Sequence, residues 1–195
     1  MAALGQRCNL DTLVATERVK YEKMWAQPIY RKVSPGEIKH KEAVYYLGPN
    51  KGSLIDFGIG TGRGANMFKQ AGYDVLGIDI CASCLDPGID IEVWVCALWE
   101  IPGFIKADYG LCTDVMEHIP PSKVDLVLER ISGAVSKCYF SIDTIPDSLG
   151  KLIGETLHAC VESADWWEAK LLEHFDKVKL INTCPSLSTY YCEVK

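Results

Sequence analysis

Two aspartates stand near the ends of apolar runs, on either side of a glycine-rich turn. Asp56 lies in the run 53–57, and Asp79 closes the run 74–79. The turn after Asp56 has glycine at every second position, namely Gly58, Gly60, Gly62 and Gly64. The pattern predicts a strand, a tight turn, a helix and a second strand, with a carboxylate at the tip of each strand. Such a unit is typical of a site for a nucleoside-bearing cofactor.

The glycines and the two carboxylates narrow the choice of cofactor. Glycine lets the backbone approach a ligand without a Cβ clash, and the amides at a helix start favour negative groups. A dinucleotide and S-adenosylmethionine both fit, and Gly60, Gly62 and Ala65 satisfy the looser dinucleotide fingerprint. Asp56 favours S-adenosylmethionine, because a carboxylate in the loop repels a pyrophosphate but suits an ammonium group or a bound water. Asp79 suits two ribose hydroxyls and is compatible with either cofactor.

Three further residues are candidates for catalysis. Glu117 and His118 follow the fourth predicted strand and are expected to face the cleft, where His118 acts as a base or packs beside the cofactor. Asp143 ends the fifth strand, at the functional edge of the sheet, and either binds substrate or caps the next loop. His158 lies in the long segment 144–165, and loops of this length are often functional. It either contacts substrate or is a turn histidine bonded to the backbone.

Aromatic residues near a break in the N-terminal segment are candidates for substrate binding. Tyr21, Trp25 and Tyr30 either shape an acceptor pocket under a closing lid or pack on the sheet.

The elements that position these residues alternate regularly after residue 50. Strands are predicted at 53–57, 74–79, 91–96, 109–113, 138–142, 177–182 and 188–194. Helices are predicted at 62–71, 121–135 and 164–174. This alternation favours an α/β, doubly wound sheet, and the last two strands form an antiparallel hairpin at its edge. Residues 9–47 are predicted to be mostly helical, with one helix capped by Asp11 or Thr16 and a second starting at 34–37.

Length and charge favour a compact enzyme over a nucleic-acid-binding module. With 195 residues, one domain is expected, with residues 1–50 as a helical lid and 51–195 as the cofactor-binding core. The net charge is −6, and residues 1–50 carry eight Lys or Arg against five Asp or Glu. The remainder therefore carries −9, which argues against broad nucleic-acid binding.

The nine cysteines are expected to be reduced thiols in a cytoplasmic protein. The pair Cys81 and Cys84 lacks the two further ligands that a zinc site needs, so no metal is predicted. The N-terminus lacks a signal-peptide pattern, and no apolar run is long enough to span a membrane.

Three segments together resemble the class I S-adenosylmethionine-dependent methyltransferases, and the resemblance covers about residues 50–145. They are the glycine segment 56–62, the strand end 77–79 and the segment 113–120, which reads Thr-Asp-Val-Met-Glu-His-Ile-Pro. The resemblance implies a Rossmann-like, seven-stranded sheet, mostly parallel, with an antiparallel last strand. It also implies S-adenosylmethionine bound across the strand tips, with S-adenosylhomocysteine as the product.

The family's binding residues carry over onto matching positions of this chain. Asp56, Gly58, Gly60 and Gly62 correspond to the methionine subsite. Asp79 would hold the ribose, Ile80 would flank the adenine, and Asp114 would lie near the methionine amine or the reacting centre. The family often has an acid after strand 3, whereas here the first acid after that strand is Glu100. A backbone amide at Ala97 or Leu98 is expected to contact the adenine instead, and Leu98 or Trp99 to stack on it.

The acceptor is expected to be a small molecule. No Asp/Asn-Pro-Pro-Tyr segment follows strand 4, and the Pro-Cys of cytosine-C5 methyltransferases is missing, which disfavours methylation of bases. A macromolecular acceptor such as nucleic acid or a protein, a noncatalytic S-adenosylmethionine-binding protein, other chemistry on that cofactor, and an NAD-dependent oxidoreductase stay as alternatives. The sequence leaves the oligomeric state open.

Overall fold

The computed structural model describes residues 5–48 and 51–194. The helices are α1 Gly5–Trp25, α2 Pro35–Leu47, α3 Arg63–Gln70, α4 Val124–Ala134 and α5 Ala164–Leu172. The strands are β1 Ser53–Phe57, β2 Asp74–Asp79, β3 Glu92–Val95, β4 Ala107–Thr113, β5 Val135–Asp143, β6 Lys177–Cys184 and β7 Leu187–Glu193. Short 3-10 turns lie between several of them, including Pro28–Arg31 and Gly150–Leu152.

The seven strands form one sheet in the order β3-β2-β1-β4-β5-β7-β6. Strands β1 to β5 pair in parallel, and β7 runs antiparallel to both β5 and β6. The predicted mostly parallel sheet with an antiparallel last strand is confirmed. The strand order reverses between β1 and β4, and in such sheets ligands bind beyond the carboxyl ends of the strands at that switch point.

Helices cover both faces of the sheet, so the central strands are buried on both sides. On one face, α2 and α3 bury Leu47 and Phe68 in a cluster with Tyr139 of β5. The opposite face is covered by α4 and α5, and Trp167 of α5 is fully buried in one cluster with Phe140 of β5. This double cover explains why β1, β4 and β5 read as short apolar runs.

The first helix begins earlier than predicted. Because α1 starts at Gly5, Asp11 and Thr16 lie inside the helix, and the predicted cap at either residue is wrong. The Thr16 hydroxyl instead donates to the carbonyl of Thr12 at 2.8 Å, which is a common alternative bond for this residue type.

The start of α2 is where the sequence places it, but its cap differs. Ser34 occupies the cap position and Pro35 the first turn, yet the Ser34 side chain makes no capping hydrogen bond. Glu37 does not reach back either; its carboxylate pairs with Arg63 at 3.3 Å. The ion pair joins α2 to α3, where Gly36 and Gly64 let the two backbones approach closely.

No helix in residues 5–48 or 51–194 is both long and apolar enough to cross a membrane. The eight described cysteines, from Cys81 to Cys192, are free thiols.

Candidate functional site

A cavity of about 390 Å³ lies at the carboxyl ends of the parallel strands, under α1 and the turn Pro28–Arg31. Its volume falls in the range of small-molecule sites. Nearly every residue that the sequence suggested for the site lines this cavity. They are Tyr21, Trp25, Tyr30, Asp56, Gly58, Gly60, Asp79, Ile80, Ala97, Leu98, Asp114, His118, Asp143 and His158.

Asp56 points from β1 into the base of the cavity and is only 3% exposed. Burial, together with the negative charge of Asp79, raises the pKa of Asp56 to about 7. A carboxylate in such a place is stabilised by a cationic partner, because a nearby positive charge favours its ionised form. The site therefore suits a positively charged ligand group at this point.

Asp79 ends β2 and is fixed by the backbone around it. One carboxylate oxygen accepts the N–H of Gly60 at 3.1 Å, and the other accepts the N–H of Cys81 at 2.9 Å. Burial raises the pKa of Asp79, although these hydrogen bonds act in the opposite direction. Each carboxylate oxygen has two lone pairs, so Asp79 retains acceptor capacity for hydroxyl groups of a ligand.

Side chains are excluded at the glycines of the turn for different physical reasons. Gly58 has φ +78°, and a Cβ there would lie 2.4 Å from Cγ2 of Val115. Gly60 has φ +51° and faces the Trp25 ring, which roofs the loop. Both line the cavity, and neither position tolerates a side chain.

Gly62, in the same turn, has different surroundings. It precedes α3 with φ +76°, and a Cβ there would lie 2.8 Å from both Leu85 and Ile89. It is not among the residues that line the cavity, and its contact with the methionine part of the cofactor stays a prediction.

The end of β3 supplies an apolar wall. Ala97 and Leu98 are buried and line the cavity opposite Ile80. Trp99 also lines it, and no described residue accepts a hydrogen bond from its buried indole N–H. This wall has the flat, apolar character that an aromatic base requires, and the sequence indicated Trp99 only as a possible stacking residue.

Asp114, directly after β4, has φ +62° and is the only non-glycine residue with a positive φ in the described part of the chain. Its N–H donates to the carbonyl of Ser141 at 2.8 Å, which ties the tips of β4 and β5 together. Aspartate is one of the few residue types that adopt this conformation, and such outliers cluster at functional sites.

Glu117 lies in a position that the sequence did not predict. It was expected to face the cleft, but it is fully buried behind the cavity wall. Its Oε1 accepts the N–H of Asp143 at 3.0 Å, whereas its Oε2 has no hydrogen-bond partner among the described residues. Burial, followed by the charge of Asp114, raises the pKa of Glu117 well above its usual value.

The two candidate histidines lie in contact. The rings of His118 and His158 meet edge to face, with centroids 4.9 Å apart. Nδ1 of His118 lies 3.0 Å from the Leu157 carbonyl, and Nδ1 of His158 lies 2.7 Å from the Ile145 carbonyl. Because a carbonyl only accepts, each Nδ1 carries the proton in the neutral ring, and Nε2 is left with a lone pair.

Burial affects the acid–base behaviour of this end of the cavity. It lowers the pKa of His118, which keeps that ring neutral. It also raises the pKa of Asp143 to about 6, with the charge of Asp114 as the second cause. Tyr21 meets His118 edge on at 5.8 Å, and its hydroxyl lies 3.5 Å from the His118 carbonyl.

The N-terminal segment is held closed over the cavity by bonds to two loops. Arg18 donates to the carbonyl of Ile80 at 3.1 Å, and Arg31 pairs with Asp86 at 3.0 Å. On the other side, Tyr30 donates to the carbonyl of Leu149 at 2.6 Å. An ion pair of 2.7 Å between Lys23 and Glu155 joins the same two parts.

The long segment 144–163 carries a second structural residue that the sequence did not reveal. Asp147 lines the cavity, and its carboxylate accepts the backbone N–H groups of Gly150 and Leu157. These bonds fold the segment so that His158 reaches His118. An aspartate a few residues before a glycine is a common turn signal, but it does not show which distant backbone group it will bind.

Comparisons with known proteins support the fold and leave the sequence relationship distant. No protein-family model matches the chain, and no curated protein matches it. Solved structures do match. One is 1,6-didemethyltoxoflavin-N1-methyltransferase from Burkholderia thailandensis, with 1,6-didemethyltoxoflavin and S-adenosylhomocysteine bound. It has a TM-score of 0.69 and 15% identity over 96% of this chain and 90% of that one.

Two further structures show the same likeness. The DhpI–S-adenosylhomocysteine complex has a TM-score of 0.67 and 14% identity over 93% of this chain and 94% of that one. Magnesium protoporphyrin IX methyltransferase from Synechocystis, also with S-adenosylhomocysteine bound, has a TM-score of 0.60 and 18% identity over 86% and 87%. The chain therefore has the class I S-adenosylmethionine-dependent methyltransferase fold.

Proposed function

We propose that this protein is an S-adenosylmethionine-dependent methyltransferase that acts on a small-molecule acceptor. The observation that carries the proposal is the pair of buried carboxylates, Asp56 and Asp79, on either side of a loop whose missing side chains open the cavity base. The similar structures whose names include S-adenosylhomocysteine support the choice of cofactor.

The residues of the cavity fit this cofactor. Asp56 would bind the methionine ammonium group, and Asp79 would accept hydrogen bonds from the ribose hydroxyls. Gly58 and Gly60 leave room for the methionine backbone, and Asp114 lies next to them. The apolar wall, formed by Ile80, Ala97, Leu98 and Trp99, would hold the adenine. When bound, the cofactor supplies an electrophilic methyl group on a sulfonium.

The far end of the cavity would hold the acceptor. Nε2 of His118 or His158 accepts a proton from an acceptor group that must lose one, since each Nδ1 is committed to a backbone carbonyl. Asp143 lies at the same end and contacts a polar part of the acceptor. Tyr21, Trp25 and Tyr30 line the lid side, where they orient the acceptor and exclude water.

A small acceptor is favoured because the cavity is covered. Within the described residues, 5–48 form the lid of a single proposed domain and close over 51–194 through the contacts of Arg18, Arg31 and Tyr30. Two of the similar structures are named for small acceptors, a toxoflavin precursor and magnesium protoporphyrin IX. The free thiols support a reducing, cytoplasmic location for the protein.

Calorimetry followed by turnover tests the proposal. The full chain is titrated with S-adenosylhomocysteine and, separately, with NAD, and only the former is expected to bind. Formation of S-adenosylhomocysteine from S-adenosylmethionine is then followed over a panel of small acceptors. Binding of NAD alone would refute the cofactor assignment, and cofactor binding without turnover on any acceptor class, including nucleic acid and protein, would favour a noncatalytic binding module.

A further inference from the structure

The strongest unassigned feature of the molecule is a cluster of side chains of metal-binding types at the acceptor end of the cavity. Glu117, His118 and His158 each offer one nitrogen or oxygen atom, and these atoms all lie within 4.8 Å of one another. A second group, formed by Asp114, Glu117 and Asp143, meets the same criterion. Both groups share Glu117, so five side chains converge on one small region.

Among the described residues, the only side-chain partner of the buried Glu117 is another carboxyl group, that of Asp114. Glu117 is fully buried, its Oε1 accepts one backbone N–H, and its Oε2 accepts none from any described residue. A buried acceptor without a donor or cation is costly, and native proteins rarely leave one. Asp114 and Asp143 lie beside it, and two carboxyl groups such as Glu117 and Asp114 form a hydrogen bond only when one of them holds a proton. The lone pairs of the buried Oε2 of Glu117 are stabilised by a shared proton or by a cation.

The two histidines are hydrogen-bonded as metal ligands usually are. A histidine that binds a metal almost always donates its other ring N–H to a carboxylate, a backbone carbonyl or water, which fixes both the tautomer and the ring plane. Here His118 donates to the Leu157 carbonyl and His158 to the Ile145 carbonyl. Each ring is therefore held with an unprotonated Nε2, which is the form that binds a cation.

A third group of this kind provides an internal contrast. Asp125, Glu173 and His174 also lie within 4.8 Å of one another. That group already contains its cation, since the ammonium of Lys170 lies 3.0 Å from Asp125 and 2.9 Å from Glu173. No lysine or arginine lines the described cavity beside Glu117.

We propose that Glu117, His118 and His158 form a binding site for a divalent transition-metal cation, with Asp114 and Asp143 beside it. One carboxylate and two imidazoles favour Zn²⁺, Co²⁺, Mn²⁺ or Fe²⁺ over Mg²⁺ and Ca²⁺, which prefer oxygen ligands. The site goes beyond the proposed methyl transfer, and it stands on its own residues. With a cation bound, both histidines act as ligands rather than as bases, and the cation faces the acceptor end of the cavity.

Binding of Co²⁺ to the full chain, freed of metal by a chelator, tests this site. Visible absorption bands report ligation, and a thiolate charge-transfer band would reveal binding by cysteine instead. One equivalent of Co²⁺ is expected to bind. Glu117→Gln and His158→Gln are each expected to raise the Kd for Co²⁺ at least about tenfold, because loss of an outer-shell partner alone has an effect of this size. His174→Gln, in the contrasting group, is the matched control and should keep the Kd.

Calorimetry with S-adenosylhomocysteine keeps this test separate from the proposed function. Glu117→Gln retains a carbonyl oxygen to accept the Asp143 N–H, so the variants are expected to bind the cofactor as the unaltered protein does. No Co²⁺ binding by the unaltered chain, or an equal loss in the His174 variant, would overturn the metal site and leave the cofactor assignment standing. Failure of the unaltered chain to bind S-adenosylhomocysteine would overturn the proposed function and leave the metal site standing.

Discussion

The carboxylate of Asp79, at the end of β2, accepts a hydrogen bond of 3.1 Å from the backbone N–H of Gly60, in the turn after β1. The bond joins the two elements that the cofactor would span. It fixes the glycine turn in a conformation with positive φ, and it fixes the carboxylate in one rotamer with its remaining lone pairs toward the cavity. The proposed ribose and methionine subsites would thus be held as one unit.

Replacement of Asp79 by Asn is expected to lower the affinity for S-adenosylhomocysteine roughly 10- to 100-fold. Hydrogen bonds to a charged group contribute about 1.5–3 kcal/mol, and the amide offers the ribose one oxygen without charge. Isothermal titration calorimetry measures the change. Asp74→Asn, at the exposed start of the same strand, is the control and should bind normally. Unchanged affinity in Asp79→Asn would refute the ribose assignment.

Asp56 is expected to make the stability of the free protein depend on pH. Because burial raises its pKa in the folded state to about 7, above the ordinary value, the folded state holds the proton more tightly than the unfolded chain. That contribution is fully present below the ordinary pKa and is lost as pH rises from about 4 through 7. Asp56→Asn should therefore be more stable than the unaltered protein at pH 8, by on the order of 2–4 kcal/mol, but not at pH 4.

The same residue links stability to function, and a single pair of titrations tests both. Denaturant unfolding at pH 4 and pH 8 gives the free energies of unfolding. The titratable groups beside Asp56 are Asp79 and the buried thiols of Cys112 and Cys138. Cofactor affinity should rise as pH is raised through 7 in the unaltered protein, as Asp56 ionises beside the ammonium group, and should be weak and independent of pH over this range in Asp56→Asn. A variant that is less stable at pH 8 would show that Asp56 has another role.

Gly58→Ala is expected to destabilise the protein and abolish cofactor binding. The φ of +78° adds backbone strain, and the new Cβ would lie 2.4 Å from Val115, so overpacking of about 1–3 kcal/mol adds to it. Gly88→Ala is the matched control, because Gly88 has φ +85° with open space around it and suffers the strain alone. Thermal unfolding separates the two, and Val115→Ala should restore part of the loss in Gly58→Ala. Equal effects at both glycines would exclude the steric contribution.

The sequence predicted the elements best where local pattern and long-range packing agree. The runs that became β1 and β2 are apolar and bounded by turn residues, and the bounds of both strands match the prediction. The start of α1 was misplaced because Asp11 and Thr16 resemble caps, although the helix continues through them. Cap chemistry alone does not stop a helix when the preceding residues also support one.

The site was predictable only as far as the strand tips define it. Asp56 and Asp79 follow from topology, because parallel strands bring their carboxyl ends to one edge. Gly62 shows the limit of the pattern, because a glycine that makes room for Leu85 looks, in sequence, like one that makes room for a ligand. The contact of His118 with His158 depends on how Asp147 folds the long segment, which is a tertiary property without a local signal.

Tyr30 is expected to govern how often the lid opens. Its hydroxyl donates to the Leu149 carbonyl at 2.6 Å, so Tyr30→Phe removes a bond between the N-terminal segment and the segment 144–163. One such bond contributes about 0.5–1.5 kcal/mol, which predicts roughly 2- to 12-fold faster amide hydrogen exchange in residues 144–163. Tyr45→Phe, at a ring 79% exposed, is the control and should leave exchange unchanged. Binding of S-adenosylhomocysteine under the lid should slow hydrogen exchange at the same amides. Unchanged exchange in Tyr30→Phe would show that this hydrogen bond does not control opening of the lid.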